Sequence, residues 1–200
     1  MIRVKSKLTN DRALRIIAAA KPEFAQRGFA GARVAVIARA AGVNKQLIFY
    51  YFRSKRGLFQ AILARGAQEI GAALTGIVVP PGRPLERIAT ALEVLFDYLG
   101  RSPDLVALLA QAGRHDAAPF APAVTRLVVL CAEGQGLGHV RDDVDPHLVA
   151  AQALILMVGY LRLESLVTAS APPLGADEPG LRARWKEAAV RLVVNGIAAS

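Results

Sequence analysis

Apolar residues return along this chain at helical spacing, and glycine, proline and cap-type residues cut that recurrence into segments. Over residues 10–27, Leu14, Ile17, Ala18, Phe24 and Ala25 recur every few positions, which predicts a first helix stopped by Gly28. Pro22 lies inside it. A proline lacks the amide N–H and crowds the preceding turn, so a local kink is expected there. Val34, Ile37 and Ala38 give a second helix its inward face, and Gly42 ends it, because glycine takes the positive φ that a tight turn between helices needs. Asn44 is placed to cap a short third helix over Lys45–Phe52, and Ser54 to cap a fourth from Lys55 past Leu63 toward Leu74.

The rest of the chain reads in the same way. Pro80, Pro81, Gly82 and Pro84 mark a turn, and an amphipathic helix follows over residues 85–99. Pro103 opens another toward Arg114, Pro119 and Pro122 introduce one over residues 123–133, and residues 134–145 form a glycine- and acid-rich loop. Asp145 and Pro146 then start a long apolar helix to about Thr168, and a final helix is expected over residues 181–198. The class is all-α. No repeat or low-complexity tract is visible.

Charge is not spread evenly over these helices. Residues 1–65 carry 14 Lys and Arg against Asp11 and Glu23 alone, while the remainder carries 11 basic and 14 acidic residues of a 200-residue chain with net charge +9. A basic first third on a mildly acidic body suits one module that meets a polyphosphate and another that does not. Within that third, the third helix presents two faces at 100° per residue. Ile48 and Phe52, with Val43 nearby, face the other helices, whereas Gln46 and Tyr50 point away, flanked by Leu47, Phe49 and Arg53. Such an outward face suits a DNA major groove: Gln46 for paired hydrogen bonds to adenine, Lys45 for guanine or a phosphate, Leu47 for a thymine methyl. Lys55 at the start of the fourth helix, with Tyr50 or Tyr51, suits phosphate contacts. Arg3, Lys5 and Lys7 read as a flexible basic arm that follows the backbone or enters the minor groove.

These residues carry a resemblance. Arg27-Gly28-Phe29, Val34 with Ile37-Ala38, Ala41-Gly42-Val43-Asn44-Lys45, Ile48-Phe49-Tyr50-Tyr51-Phe52 and Ser54-Lys55-Arg56-Gly57-Leu58-Phe59 together resemble the N-terminal domain of TetR/AcrR-type transcriptional regulators. The resemblance spans roughly the first third of the chain. It implies a helix-turn-helix DNA-binding domain over residues 1–53 and a helical effector-binding and dimerising domain over 54–200, with the helix over 54–75 connecting them. Carried over to this chain, the DNA contacts are Arg33, Asn44, Lys45, Gln46, Leu47, Phe49, Tyr50, Tyr51 and Lys55. The chain departs from the family pattern at four places. Ala32 and Arg33 stand where Thr and Ser or Thr are usual, so a helix-two cap is missing and Arg33 is expected to replace a phosphate-binding hydroxyl by charge. Phe49 replaces a tyrosine, Gln46 stands where glycine is frequent, and Lys21-Pro22-Glu23 interrupts an apolar-rich stretch.

The last two helices have broad apolar faces, with Leu148, Ala151, Ile155, Val158 and Leu166 on one and Leu181, Trp185, Ala189, Leu192, Val193 and Ile197 on the other. One chain has little with which to cover both. The resemblance implies that they pair with a second copy in a four-helix bundle. Phe96, Tyr98, Gln111, Arg114, His115, Phe120, Gln152 and Tyr160 are aromatic or polar residues set in apolar segments, the pattern of an apolar cavity with a few orienting groups. From this set, Phe96, Gln111, Arg114, His115, Phe120, Gln152 and Tyr160 are the expected contacts to a small apolar or amphipathic effector.

Enzymatic readings find little to stand on. Cys131 lies in an apolar run and has no nucleophile motif around it, which suits a buried small hydrophobe. There is no glycine-rich phosphate loop. His139, Asp142, Asp143, Asp145 and His147 cluster in a polar loop without ligand spacing, so no metal and no cofactor is expected. Residues 1–8 are basic but run into Thr9-Asn10-Asp11-Arg12 rather than an apolar core, and the apolar run over residues 148–161 is short for a bilayer. The expectation is a cytoplasmic, dimeric regulator, most simply a repressor, with partners in a double-stranded DNA operator and a small-molecule effector and none in the membrane. A nonspecific architectural DNA binder, or a helical ligand-binding protein, is the alternative.

Overall fold

A computed structural model describes the backbone of residues 2–77, 82–170 and 178–199, and side chains within 11–77, 82–113, 116–167 and 180–199. The described residues form ten α-helices: α1 (Ile2–Gly31), α2 (Val34–Ala41), α3 (Lys45–Phe52), α4 (Lys55–Thr75), α5 (Pro84–Gly100), α6 (Pro103–Gln111), α7 (Arg114–Ala117), α8 (Ala121–Gly136), α9 (Pro146–Ser170) and α10 (Glu178–Ile197). A 3-10 turn over Ala118–Phe120 joins α7 to α8. The one extended pairing among them is a bridge between Val140 and Ala198, where Arg141 N–H donates to Ile197 O at 2.9 Å and Ala199 N–H to His139 O at 3.0 Å.

Local chemistry explains most boundaries. Asn44 Oδ1 accepts Leu47 N–H at 2.8 Å and Ser54 Oγ accepts Gly57 N–H at 2.9 Å, so α3 and α4 are both capped by the residues the sequence predicts. Gly42 takes φ 64°, ψ 39°, and its N–H returns to the end of α2. Asp145 Oδ1 accepts His147 N–H at 2.7 Å at the start of α9.

Several expectations are corrected. The segment holding Arg3, Lys5 and Lys7 is not an arm but the first turns of α1. The backbone leaves helical angles at Gly28 (φ 69°, ψ 168°) and not at Pro22. The buried face of α1 is Ile16, Ala20 and Phe24, with Ile17 and Ala25 half-buried and Ala18 exposed. Residues 134–136 continue α8 instead of looping. Gly134 is held there because a Cβ would stand 2.6 Å from Val140 Cγ2. Finally, α9 is longer than its apolar run, and its Pro146–Val167 stretch is by length and composition long enough to cross a membrane.

The core is continuous from end to end. Ile37 and Ile48 close on Phe24, Leu58 and Phe59; α4 carries the core onward through Ile62, Leu63 and Ile70; and Leu92, Phe96 and Leu99 extend it to Met157 and Tyr160. Phe24, Phe29 and Phe59 meet at centroid separations of 5.3–6.0 Å, two of the three pairs edge-on. Burial pushes the Cys131 thiol up to about 11, so it remains protonated and behaves as a small hydrophobe. Tyr98 Oη donates to Glu69 at 2.5 Å, and desolvation together with that carboxylate raises the phenol further from ionisation.

Far from the N-terminal helices, Tyr160, Glu164 and Arg182 tie α9 to α10. Arg182 donates Nε and Nη2 to Glu164 at 2.6 and 2.5 Å, and this pairing holds the Glu164 carboxyl below its ordinary value of 4.5. A carboxylate with a depressed folded-state value contributes stability above its unfolded value and loses it as pH falls through the folded one. The Tm gap between the parent and Glu164→Gln is therefore expected at neutral pH and to close below pH 4.5. A gap that stays constant on acidification would remove the pair from the acid response.

Candidate nucleic-acid interface

The exposed end of α3 is the first candidate. Ile48 is fully buried, and Val43 and Phe52 pack on the core, which fixes the rotation of α3. Lys45 and Gln46 then point to solvent beside Tyr50, 68 % exposed, and Phe49, 43 % exposed. Leu47 and Tyr51 are half-buried; the Tyr51 ring lies edge-on to Tyr50 at 5.4 Å and against Phe52 at 6.1 Å, so its body braces the outward face. Asn44 Oδ1 accepts the cap bond, which leaves its amide NH2 as the donor for a partner. Arg33, Arg39, Lys45 and Arg53 surround this face, all exposed and with no ion pair to any described residue.

Around that face, two joints set its position. At the start of α2, Arg33 makes no side-chain cap, and its own N–H donates to Glu23 Oε1 at 2.9 Å, so a carboxylate ten residues upstream ties the N-cap backbone to α1. Glu23, Arg27, Gly31, Arg33 and Val36 border a hollow of about 480 Å³ at that point. Between α3 and α4, Arg53 takes φ 65°, ψ −38°, and Ser54 N–H reaches Phe52 O at 2.7 Å, a tight γ-turn with a non-glycine residue at its centre. Lys55, expected on a phosphate, is half-buried: Nζ donates to Ala30 O at 3.0 Å and sits 5.0 Å over the Phe29 ring. Two ammonium protons remain for other partners.

Comparison with known proteins decides the class. The sequence signature described as "Bacterial regulatory proteins, tetR family" matches residues 16–62, which span the break at Gly28, α2, α3 and the first turns of α4. The HTH-type transcriptional repressor SCO4008 of Streptomyces coelicolor is 30 % identical over 190 residues, covering 90 % of this chain and 93 % of that protein. The chain belongs to the tetR family. The HTH-type transcriptional repressor NicS of Pseudomonas putida is 29 % identical over 139 residues, 64 % of this chain and 66 % of that protein. Among solved structures, the putative transcriptional regulator SCO4942 of Streptomyces coelicolor has a TM-score of 0.71 at 28 % identity, covering 92 % of this chain and 97 % of its own. A putative tetR family regulator from Shewanella sp. PV-4 has a TM-score of 0.76 at 19 % identity. As a tetR-family chain, the protein is a transcriptional regulator and not an enzyme.

The residues expected to gather round an effector are dispersed in this tetR-family fold. Phe96 and Tyr160 are buried and stack on Trp185 at 5.6 and 4.1 Å, so they are core. Gln111 is exposed at the end of α6 beside Gly28. The side chains of Arg114 and His115 lie outside the described residues. Gln152 borders a cavity of about 500 Å³ between α9 and α10 with Leu148 and Leu192, while Phe120 borders a different groove of about 530 Å³ between α6, α8 and α9.

Two further residues meet where no motif marks them. Asp116 in α7 meets Arg56 in the first turn of α4, Nε to Oδ1 at 3.2 Å, and this Oδ1 is buried with no hydrogen bond. Arg56 also lies 5.8 Å over Phe29. No spacing in the sequence announces a pair sixty positions apart.

Proposed function

We propose that the protein is a dimeric cytoplasmic repressor that reads a palindromic operator and is released by a small apolar or amphipathic effector. Residues 1–53 act as the reading domain and 54–200 as the effector and dimer domain. The observation that carries this reading is the α3 face: Lys45, Gln46, Phe49 and Tyr50 are held outward by a capped, core-anchored helix among unpaired cations. Gln46 reads base edges and Leu47 meets a thymine methyl. Arg33, Lys45, Arg53 and the Tyr50 and Tyr51 hydroxyls contact the phosphates. Two copies, joined through α9 and α10, place their α3 helices about 34–36 Å apart on successive major grooves. Effector binding displaces α4 and, through the tight turn at Arg53 and Ser54, moves α3 off that spacing.

Selection of bound sites from random duplex DNA at near-physiological salt tests this directly. An enriched inverted repeat is the expected result; a pool with no enriched sequence would leave only nonspecific binding and defeat the proposal. On the selected site, Gln46→Ala is expected to lose about 1–3 kcal/mol of discrimination at one base pair with an unchanged salt slope. Arg33→Ala is expected to weaken all sequences alike and to reduce the slope by about one ion.

A further inference from the structure

The groove between α6, α8 and α9 differs from the cleft between α9 and α10 in chemistry. Its walls, among them Leu109, Phe120, Val124, Leu154 and Val158, are almost wholly carbon, and Phe120 at its edge is 3 % exposed. Its volume, about 530 Å³, lies within the range of ligand pockets. Arg162 is the one charged residue along it. No described residue pairs with Arg162, and the nearby Glu164 is taken by Arg182.

We propose that this groove takes a monocarboxylate with an apolar tail, the carboxylate on Arg162 and the tail against Phe120, Val124 and Val158. A guanidinium presents two parallel N–H donors that match a carboxylate, and an apolar wall beside it strengthens that pairing. Arg162 is exposed in the single chain, so a neutral hydrocarbon draws nothing from its charge, a cationic amphiphile is repelled and a carboxylate is attracted, the more strongly once a second copy covers the open side. The site is also well placed for a signal. Its wall at Ala117, Phe120 and Ala121 follows Asp116 directly, and Asp116 touches Arg56 at the start of α4. Ile155 and Leu163, which also border the groove, are 71 % and 52 % exposed, and Ile155 lies on the face assigned above to the second copy. Assembly would therefore roof the groove. The effect on DNA rests on the proposed repressor function; binding itself does not.

Titration calorimetry on the full chain without DNA supplies the test, with decanoate, decanol and decyltrimethylammonium below their micelle-forming concentrations. Decanoate is expected to bind at least about tenfold more tightly than decanol, with no binding of the cation. Arg162→Gln is expected to erase that preference. Gly159 also borders the groove, and a Cβ there meets nothing within 4 Å, so Gly159→Leu fills the space without a clash and is expected to abolish binding while the chain stays dimeric by light scattering. Equal affinity for decanol, a preference that survives Arg162→Gln, or binding unchanged in Gly159→Leu overturns the proposal. So does absence of binding, and a Gly159→Leu variant that becomes monomeric would show the groove to be filled by the second copy. Decanoate is then added to the protein on its selected operator. Binding with release supports both readings, whereas binding without release keeps the site and overturns the effector role.

Discussion

Gly57→Ala is expected to lower operator affinity by about 100-fold and the Tm by roughly 4–8 °C, on the scale of about 2 kcal/mol in a chain of this size. A Cβ at this position would stand 2.0 Å from the Phe52 carbonyl oxygen and 3.2 Å from its carbon. Both are backbone atoms, and the carbonyl is fixed by Ser54 N–H at 2.7 Å across the turn at Arg53. No rotamer relieves the overlap. α4 has to withdraw from α3, and with it goes the Ser54 cap and the angle at which Lys45 and Gln46 stand outward. Circular dichroism melting and operator titration read the two effects separately. Arg53→Gly is the control, since glycine accepts the positive φ at that position; it is expected to hold the Tm of the parent and to lose only the binding due to one charge. Parent-like melting and affinity in Gly57→Ala would mean that the joint is not rigid.

The second large effect concerns assembly. Leu148→Glu combined with Leu192→Glu is expected to convert a dimer into a folded monomer of 21.2 kDa and to weaken operator binding by about a thousandfold. In a single chain these leucines are 60 % and 68 % exposed, so carboxylates there cost the fold little. Across an interface between copies they bury like charges against apolar surface, where an unpaired charge is expensive. A second copy on this face would cover the apolar Pro146–Val167 stretch, of which one chain buries only 22 %. Light scattering decides the point: a monomeric parent, or a variant that remains dimeric with full operator affinity, would move the interface elsewhere.

The parts of this fold that were legible in the sequence are those governed by neighbours along the chain. Asn44, Ser54, Gly42, Pro103 and Pro146 act within a turn of themselves, and the helices they bound appear where those residues put them. The outward side of α3 was readable because Ile48 and Phe52 leave one face for packing. α1 was not, since alanines lie around it and Ile16 and Ile17 are adjacent; the choice of Ile16, Ala20 and Phe24 is made by the helices packed on α1, namely α2, α4 and α6. Contacts between distant positions were invisible for the same reason. Glu23 reaches the Arg33 N–H, Arg56 reaches Asp116 and Glu164 reaches Arg182, pairings across 10, 60 and 18 positions that no local spacing announces. Phe96 and Tyr160 look like cavity aromatics until Trp185, 25 positions beyond Tyr160, is seen stacked on both.

The close approach of Gly57 to Phe52 also has an arithmetic consequence. α4 holds 21 residues, so it is a rod of roughly 31 Å at 1.5 Å per residue. With no slack at its junction with α3, a tilt of about 6° pivoting at the far end carries the near end through about 3 Å, close to the ~3.4 Å separating successive bases along a strand. A change too small to disturb any single packing contact by more than a few tenths of an ångström near the pivot thus arrives at the DNA as a shift of nearly one base step.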